Sequence, residues 1–112
     1  MDKKKDTYVF ISAPYTKGDV GENVNKAICA ADALADAGLI PFVPHLTHLW
    51  HLIIPQDIDF WYKYDLAWLD KCDCLVRLNG ESAGADNEVE YARKHGKPVF
   101  YSVHECIMAV FQ

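Results

Sequence analysis

Two acidic residues in this chain fall on the inward faces of helical patterns, where carboxylates can do chemistry. Glu88 belongs to Ser82-Ala83-Gly84-Ala85-Asp86-Asn87-Glu88-Val89-Glu90-Tyr91-Ala92, which reads as a small-residue turn running into a helix from about Ala85. At about 100° per residue, Ala85, Glu88 and Ala92 share one face, while Glu90, Arg93 and Lys94 fall on the other. Asp65 sits in a second helical pattern, Pro55 to Lys71, centred in the apolar stripe Ile58, Tyr62, Leu66 and Leu69 and flanked by Trp61 and Trp68. Burying an unpaired charge is prohibitive, so such an acid is neutral, paired or turned toward a cavity. Each has a bland alternative: Glu88 complementing its helix dipole, and Asp65 capping a loop or meeting a buried donor. Two inward acids on separate helices also fit glycosidic cleavage. One carboxylate meets the oxocarbenium-like carbon, while the other holds a hydroxyl or shuttles a proton.

The elements that must position these acids follow from the apolar runs. Thr7 to Ser12 and Cys72 to Leu78 are continuous runs, as expected of central parallel strands covered on both faces. Leu39 to Val43 and Pro98 to Tyr101 read as two more strands. Helices are expected over Asp19–Ala37, over Pro55–Lys71 with Asp57 or Gln56 near its start, and over His104–Phe111. Val20, Val24, Ala27, Ala31, Leu34 and Ala35 form the buried stripe of the first, and Gly38 stops it. The alternation implies a three-layer, Rossmann-like (flavodoxin-like) α/β sandwich. Its parallel sheet has four to five strands, in the order 2-1-3-4 with right-handed crossovers.

In that fold ligands bind at the carboxyl ends of the strands. Ser12, Pro14, Tyr15 and Lys17 arrive there after the first strand, and Ser82 and Gly84 after the third. Ser82, the free N–H groups near Gly84 and the helix dipole make an anion pocket plausible on physical grounds. Pro44 to His51 forms a loop or short helix at the rim, where His45 can line a base pocket or serve loop packing. His48 and His51 have a metal-like spacing, but no carboxylate or cysteine completes a set, and no metal is expected.

A chain of 112 residues is long enough for one core, so residues 1–112 are read as a single domain. Its hydrophobic content of 51% argues against disorder, and a net charge of −5 without a basic stripe argues against a nucleic-acid polymer as partner. The four cysteines lack zinc spacing and read as reduced, packed side chains. Residues 1–6 read as a polar tail, not a signal peptide, and no segment is long enough to span a membrane. A cytoplasmic location is the expectation.

Three stretches resemble the nucleoside 2-deoxyribosyltransferase superfamily, and within it the 2'-deoxynucleoside 5'-phosphate N-hydrolases. They are Val9-Phe10-Ile11-Ser12-Ala13-Pro14-Tyr15, Tyr64-Asp65-Leu66-Ala67-Trp68-Leu69, and Ser82-Ala83-Gly84-Ala85-Asp86-Asn87-Glu88. The resemblance implies that Glu88 is the nucleophile, that Asp65 contacts the sugar hydroxyl and assists proton transfer, and that Ser82 meets a 5'-phosphate. The transferase branch carries an acidic stretch before its glutamate helix, which Gly80-Glu81-Ser82 reproduces poorly. The first-strand tip also departs from the Gly- and Arg-rich turn of some hydrolases.

Three functions follow: hydrolysis of a nucleoside 5'-monophosphate, transfer of deoxyribose between bases, or nucleotide sensing without turnover. None calls for a cofactor. The partner is a small nucleotide or nucleoside, and the resemblance, with the apolar excess in Trp50, Trp61 and Trp68, implies a homodimer.

Overall fold

Four short apolar runs pair into one parallel sheet with the order β2-β1-β3-β4. The computed structural model describes residues 6–112; the charged segment 1–5 lies outside them. The strands are β1 (Tyr8–Ser12), β2 (Ile40–Phe42), β3 (Cys74–Arg77) and β4 (Val99–Phe100). The fold class and strand order match the expectation. Central β1 and β3 are covered on both faces, which is why they read as unbroken apolar runs.

Strand alternation sorts the core into two layers. Val9, Ile11, Cys74 and Val76 pack with Leu34 of α1 (Val20–Asp36) and Val110 of α5 (Val103–Val110). Phe10 and Leu75 pack on the opposite side with Leu69 of α3 (Ile58–Lys71) and Val89 of α4 (Ala83–Lys94). Each fully buried side chain of this size stabilises the fold by roughly 1.5–3 kcal/mol. One step further along the strands, the same alternation turns Ser12 and its register partner Arg77 toward the α3/α4 layer. Both then stand at the carboxyl edge of the sheet.

Helix ends follow their caps. Asp19 caps α1 by accepting from the Glu22 N–H at 3.0 Å, and Gly38, at φ +96°, turns the chain out of it. The buried stripe of α1 is Ala27, Ala30, Ala31 and Leu34, an i, i+3, i+4, i+7 set; Ala35, expected in it, is exposed. α3 begins at Ile58, later than expected, because Asp57 caps it by accepting from the Phe60 N–H at 2.8 Å. Its expected stripe also fails at one end: Ile58 is 87% and Tyr62 43% exposed. That half of α3 leans instead on α2 (His48–Ile53), through Phe60, Trp61 and Tyr64 against Trp50. Cys72, Cys74 and Cys106 are buried and unbridged, whereas Cys29 is exposed.

Candidate active site

Ser12 closes β1, Glu88 lies within α4, and the two side chains meet. The Ser12 hydroxyl donates to Glu88 Oε1 at 2.7 Å, with the Ala85 carbonyl oxygen a second acceptor at 3.2 Å. One proton facing two acceptors allows two states. When Glu88 is ionised, Ser12 donates to the carboxylate. When Glu88 is protonated, its carboxyl can donate to Ser12 Oγ while Ser12 turns its own proton to Ala85. Ser12 is fully buried, so it acts through Glu88.

Burial pushes the Glu88 carboxyl up to about 8; the Ser12 bond draws it down, the Asp65 charge raises it, and Arg77 lowers it. Burial also pushes Asp65 up to about 7. Asp65 Oδ1 is buried without a hydrogen-bond partner. A buried carboxyl oxygen left this way costs stability, on the order of 1–3 kcal/mol, which a fold carries more readily where a ligand supplies the missing partner. Both carboxyls are thus lifted toward neutral pH chiefly by burial, with the Asp65 charge adding to the effect on Glu88.

Ser82 caps α4 by accepting from the Ala85 N–H at 3.1 Å. The helix therefore starts at Ala83, two residues before the expected Ala85. Ser82 still has its own proton to donate, and the leading N–H groups of the helix lie beside it. A Cβ on Gly84 would meet only Ser82 Oγ, at 4.0 Å, so protein packing does not demand glycine there. Gly80 is different: at φ +120°, a Cβ would come within 2.7 Å of Pro14 Cγ. The tips of β1 and β3 are thus pressed together.

The rest of the rim is pinned to those tips. His45 Nε2 donates to the Pro14 carbonyl at 2.8 Å, leaving a buried Nδ1 without a hydrogen-bond partner. Burial lowers the affinity of His45 for a second proton, although bonds to the Pro14 and Ala13 backbone oppose this. Tyr15 stands edge-on to His45 at 5.7 Å and bonds His48 Nδ1 through its hydroxyl. Trp61 Nε1–H donates to His51 Nδ1 at 2.9 Å, tying α3 to α2. Lys17 reaches Glu81 at 3.6 Å, both exposed.

Not every expected site residue lines one cavity. A cleft of about 310 Å³ lies beside α1, with Pro14, Asn23, Lys26 and Asn79 in its walls. A second, of about 360 Å³, lies where β2 meets the end of α3, with Tyr8, Ile40, Phe42, Trp68 and Lys71 in its walls. Glu88 and Asp65 line neither. Among the described residues, no three His, Cys, Asp or Glu side chains gather closely enough to hold a metal. Two contributors escaped the sequence reading. Asn23 Nδ2 donates to the carbonyls of Tyr15 and Lys17 at 2.9 and 2.8 Å, fixing the first turn. Arg77 is buried among β-strand hydrophobes; the one signal for it was a guanidinium closing the run Cys74-Leu75-Val76-Arg77.

With the geometry described, comparison with known proteins gives the family. Residues 7–102 match the model described as a domain of unknown function, DUF7768. The chain belongs to the DUF7768 family. No curated protein matches it. A solved structure from a characterisation of the 2-deoxyribosyltransferase of the psychrotolerant bacterium Bacillus psychrosaccharolyticus is similar, with a TM-score of 0.65. It is 20% identical, and the match covers 83% of this chain and 69% of that one. At that identity the likeness shows a shared fold, so this DUF7768 chain has the fold of a 2-deoxyribosyltransferase.

Proposed function

We propose that this protein cleaves the N-glycosidic bond of a nucleoside 5'-monophosphate, giving free base and (deoxy)ribose 5-phosphate. Burial leaves Glu88, at about 8, a stronger proton holder than Asp65, at about 7. The reactive form, with Glu88 ionised and accepting from Ser12 and the proton on Asp65, is therefore the less populated one in the free protein. In that form Glu88 attacks the anomeric carbon, and the bond to the base breaks with its electron pair leaving on the base nitrogen. Asp65, protonated, holds the sugar hydroxyl and assists delivery of a proton to the base. Water then attacks the anomeric carbon of the glycosyl ester, gives its proton to the Asp65 carboxylate, and the bond to Glu88 breaks to regenerate its carboxylate. The observation that carries this reading is the held carboxyl of Glu88, bonded to buried Ser12 at 2.7 Å, with the partnerless Asp65 acting on it electrostatically. The phosphate belongs at the N-terminus of α4, where Ser82 has a proton to donate. Tyr15, His45 and Trp61 serve the base and sugar from the rim.

The shared fold with a 2-deoxyribosyltransferase favours a second reading, in which a free base replaces water as acceptor. Incubation with deoxynucleosides and their monophosphates, followed by chromatography of the products, decides between them. Free base formed in water supports hydrolysis, exchange with an added base supports transfer, and binding without products would leave a sensor. The acidic chain is no partner for a nucleic-acid polymer, and among the described residues no helix is long and apolar enough to cross a membrane. The protein works as a homodimer in the cytoplasm, an assembly supported by the uncharged apolar surface of α2.

A further inference from the structure

Arg77 is the single buried cation among the described side chains, burial disfavouring the charged form of His45. Its Nη1 donates to the Leu78 carbonyl, and its Nη2 to the Gly80 carbonyl at 2.8 Å and to Asp86 Oδ1 at 3.1 Å. One guanidinium thus binds the end of β3, the turn leading out of it and the first turn of α4. That turn has little slack, since Gly80 already abuts Pro14. Asp86 is two residues from Glu88, and its side chain is 72% exposed, so solvent screens it from the interior far more than it screens Arg77. Around Glu88, the charged or titratable groups are Asp65 from α3, Arg77 from β3 and Asp86 from its own helix; β1 offers only the neutral Ser12.

We propose that Arg77 is the positioning residue of this site: its planar fork, closed on Leu78, Gly80 and Asp86, fixes the β3–α4 turn that aims Glu88, and it holds a buried positive charge within electrostatic reach of that carboxylate. A planar five-donor group suits both tasks, whereas a lysine at the same place keeps the charge and loses the fork. The direction of Arg77's effect on Glu88, downward, agrees with this role. The inference rests on Glu88 as the reacting carboxylate, but its test does not need turnover.

The test is a carbon-13 NMR titration of side-chain carboxyls, with Glu88 assigned by its disappearance in Glu88→Gln. Arg77→Gln keeps a donor for the Gly80 carbonyl and removes the charge. It should raise the Glu88 midpoint, while Arg77→Lys, which keeps the charge, moves it by less than half as much. In the wild-type protein, which needs no variant to fold, the Arg77 Cζ resonance should titrate with the Glu88 midpoint. A Cζ signal indifferent to Glu88 ionisation overturns the proposal, as do equal shifts in the Gln and Lys variants, which would mark a packing effect. If the protein cleaves a nucleotide, the acid limb of kcat/KM should move up with the midpoint in Arg77→Gln. If it cleaves none, the functional reading fails and the titration still decides the role of Arg77.

Discussion

At the scale of single residues, Glu88 and Asp65 tie stability to acidity in a direction opposite to most surface carboxylates. Burial lifts both, to about 8 and about 7, so the folded state holds these protons more tightly than the unfolded chain does. Their contribution is complete below the ordinary carboxylate range and is lost as pH rises through the folded values. Denaturant unfolding at a series of pH values should therefore show a wild-type decline that begins above the ordinary carboxylate range, levels off past about pH 8 and is flattened by Glu88→Gln. The same variant should lose turnover by at least about a hundredfold, the scale for losing one catalytic group. A near-normal rate would remove Glu88 from the chemistry. Asp65→Asn should also slow the reaction while leaving stability above pH 7 equal or higher, because Oδ1 has no partner to lose. A large stability loss with unchanged kinetics would make Asp65 a structural residue.

At the scale of elements, Ser82 has a local role and a proposed ligand role that a single substitution separates. As the N-cap of α4 its loss should cost roughly 1 kcal/mol of stability. As a phosphate contact its loss should erode the preference for monophosphate over nucleoside by roughly tenfold, with the nucleoside reaction hardly changed. Comparing both substrates on wild type and Ser82→Ala isolates the contact as a cycle. Equal wild-type rates on the two substrates would move the assignment to the transferase. The elements were legible because central strands make continuous apolar runs and α4 has a clear inward face. What was hidden is long-range. Ser12 and Glu88 meet across 76 residues of sequence, and only strand register shows that the serine faces the α4 layer. Arg77 was missed because a charged residue ending a strand looks solvated until three acceptors gather around it. The exposed end of α3 was misread because periodicity gives a face without saying whether anything covers it.

At the scale of the molecule, that uncovered face suits the proposed homodimer. Residues 37–56 contain no Asp, Glu, Lys or Arg, although the whole chain carries −5. Within and beside this stretch, Leu49, Leu52, Ile53, Ile54 and Ile58 are all exposed. Two copies of an acidic chain repel over most of their surface, and here they can approach without opposing like charges. The proposed homodimer therefore joins through α2, with Asp57 and Asp59 at the start of α3 left at its edge. Contiguous exposed apolar area of this kind is uncommon on a protein that stays monomeric, and burying it is the main driving force available. Sedimentation should show a dimer in the micromolar range. The double substitution Leu49→Glu and Ile53→Glu should give a folded monomer with an unchanged circular dichroism spectrum, since both side chains are already in water. A wild-type protein that sediments only as a monomer, or a double variant that remains dimeric, would take the interface away from α2.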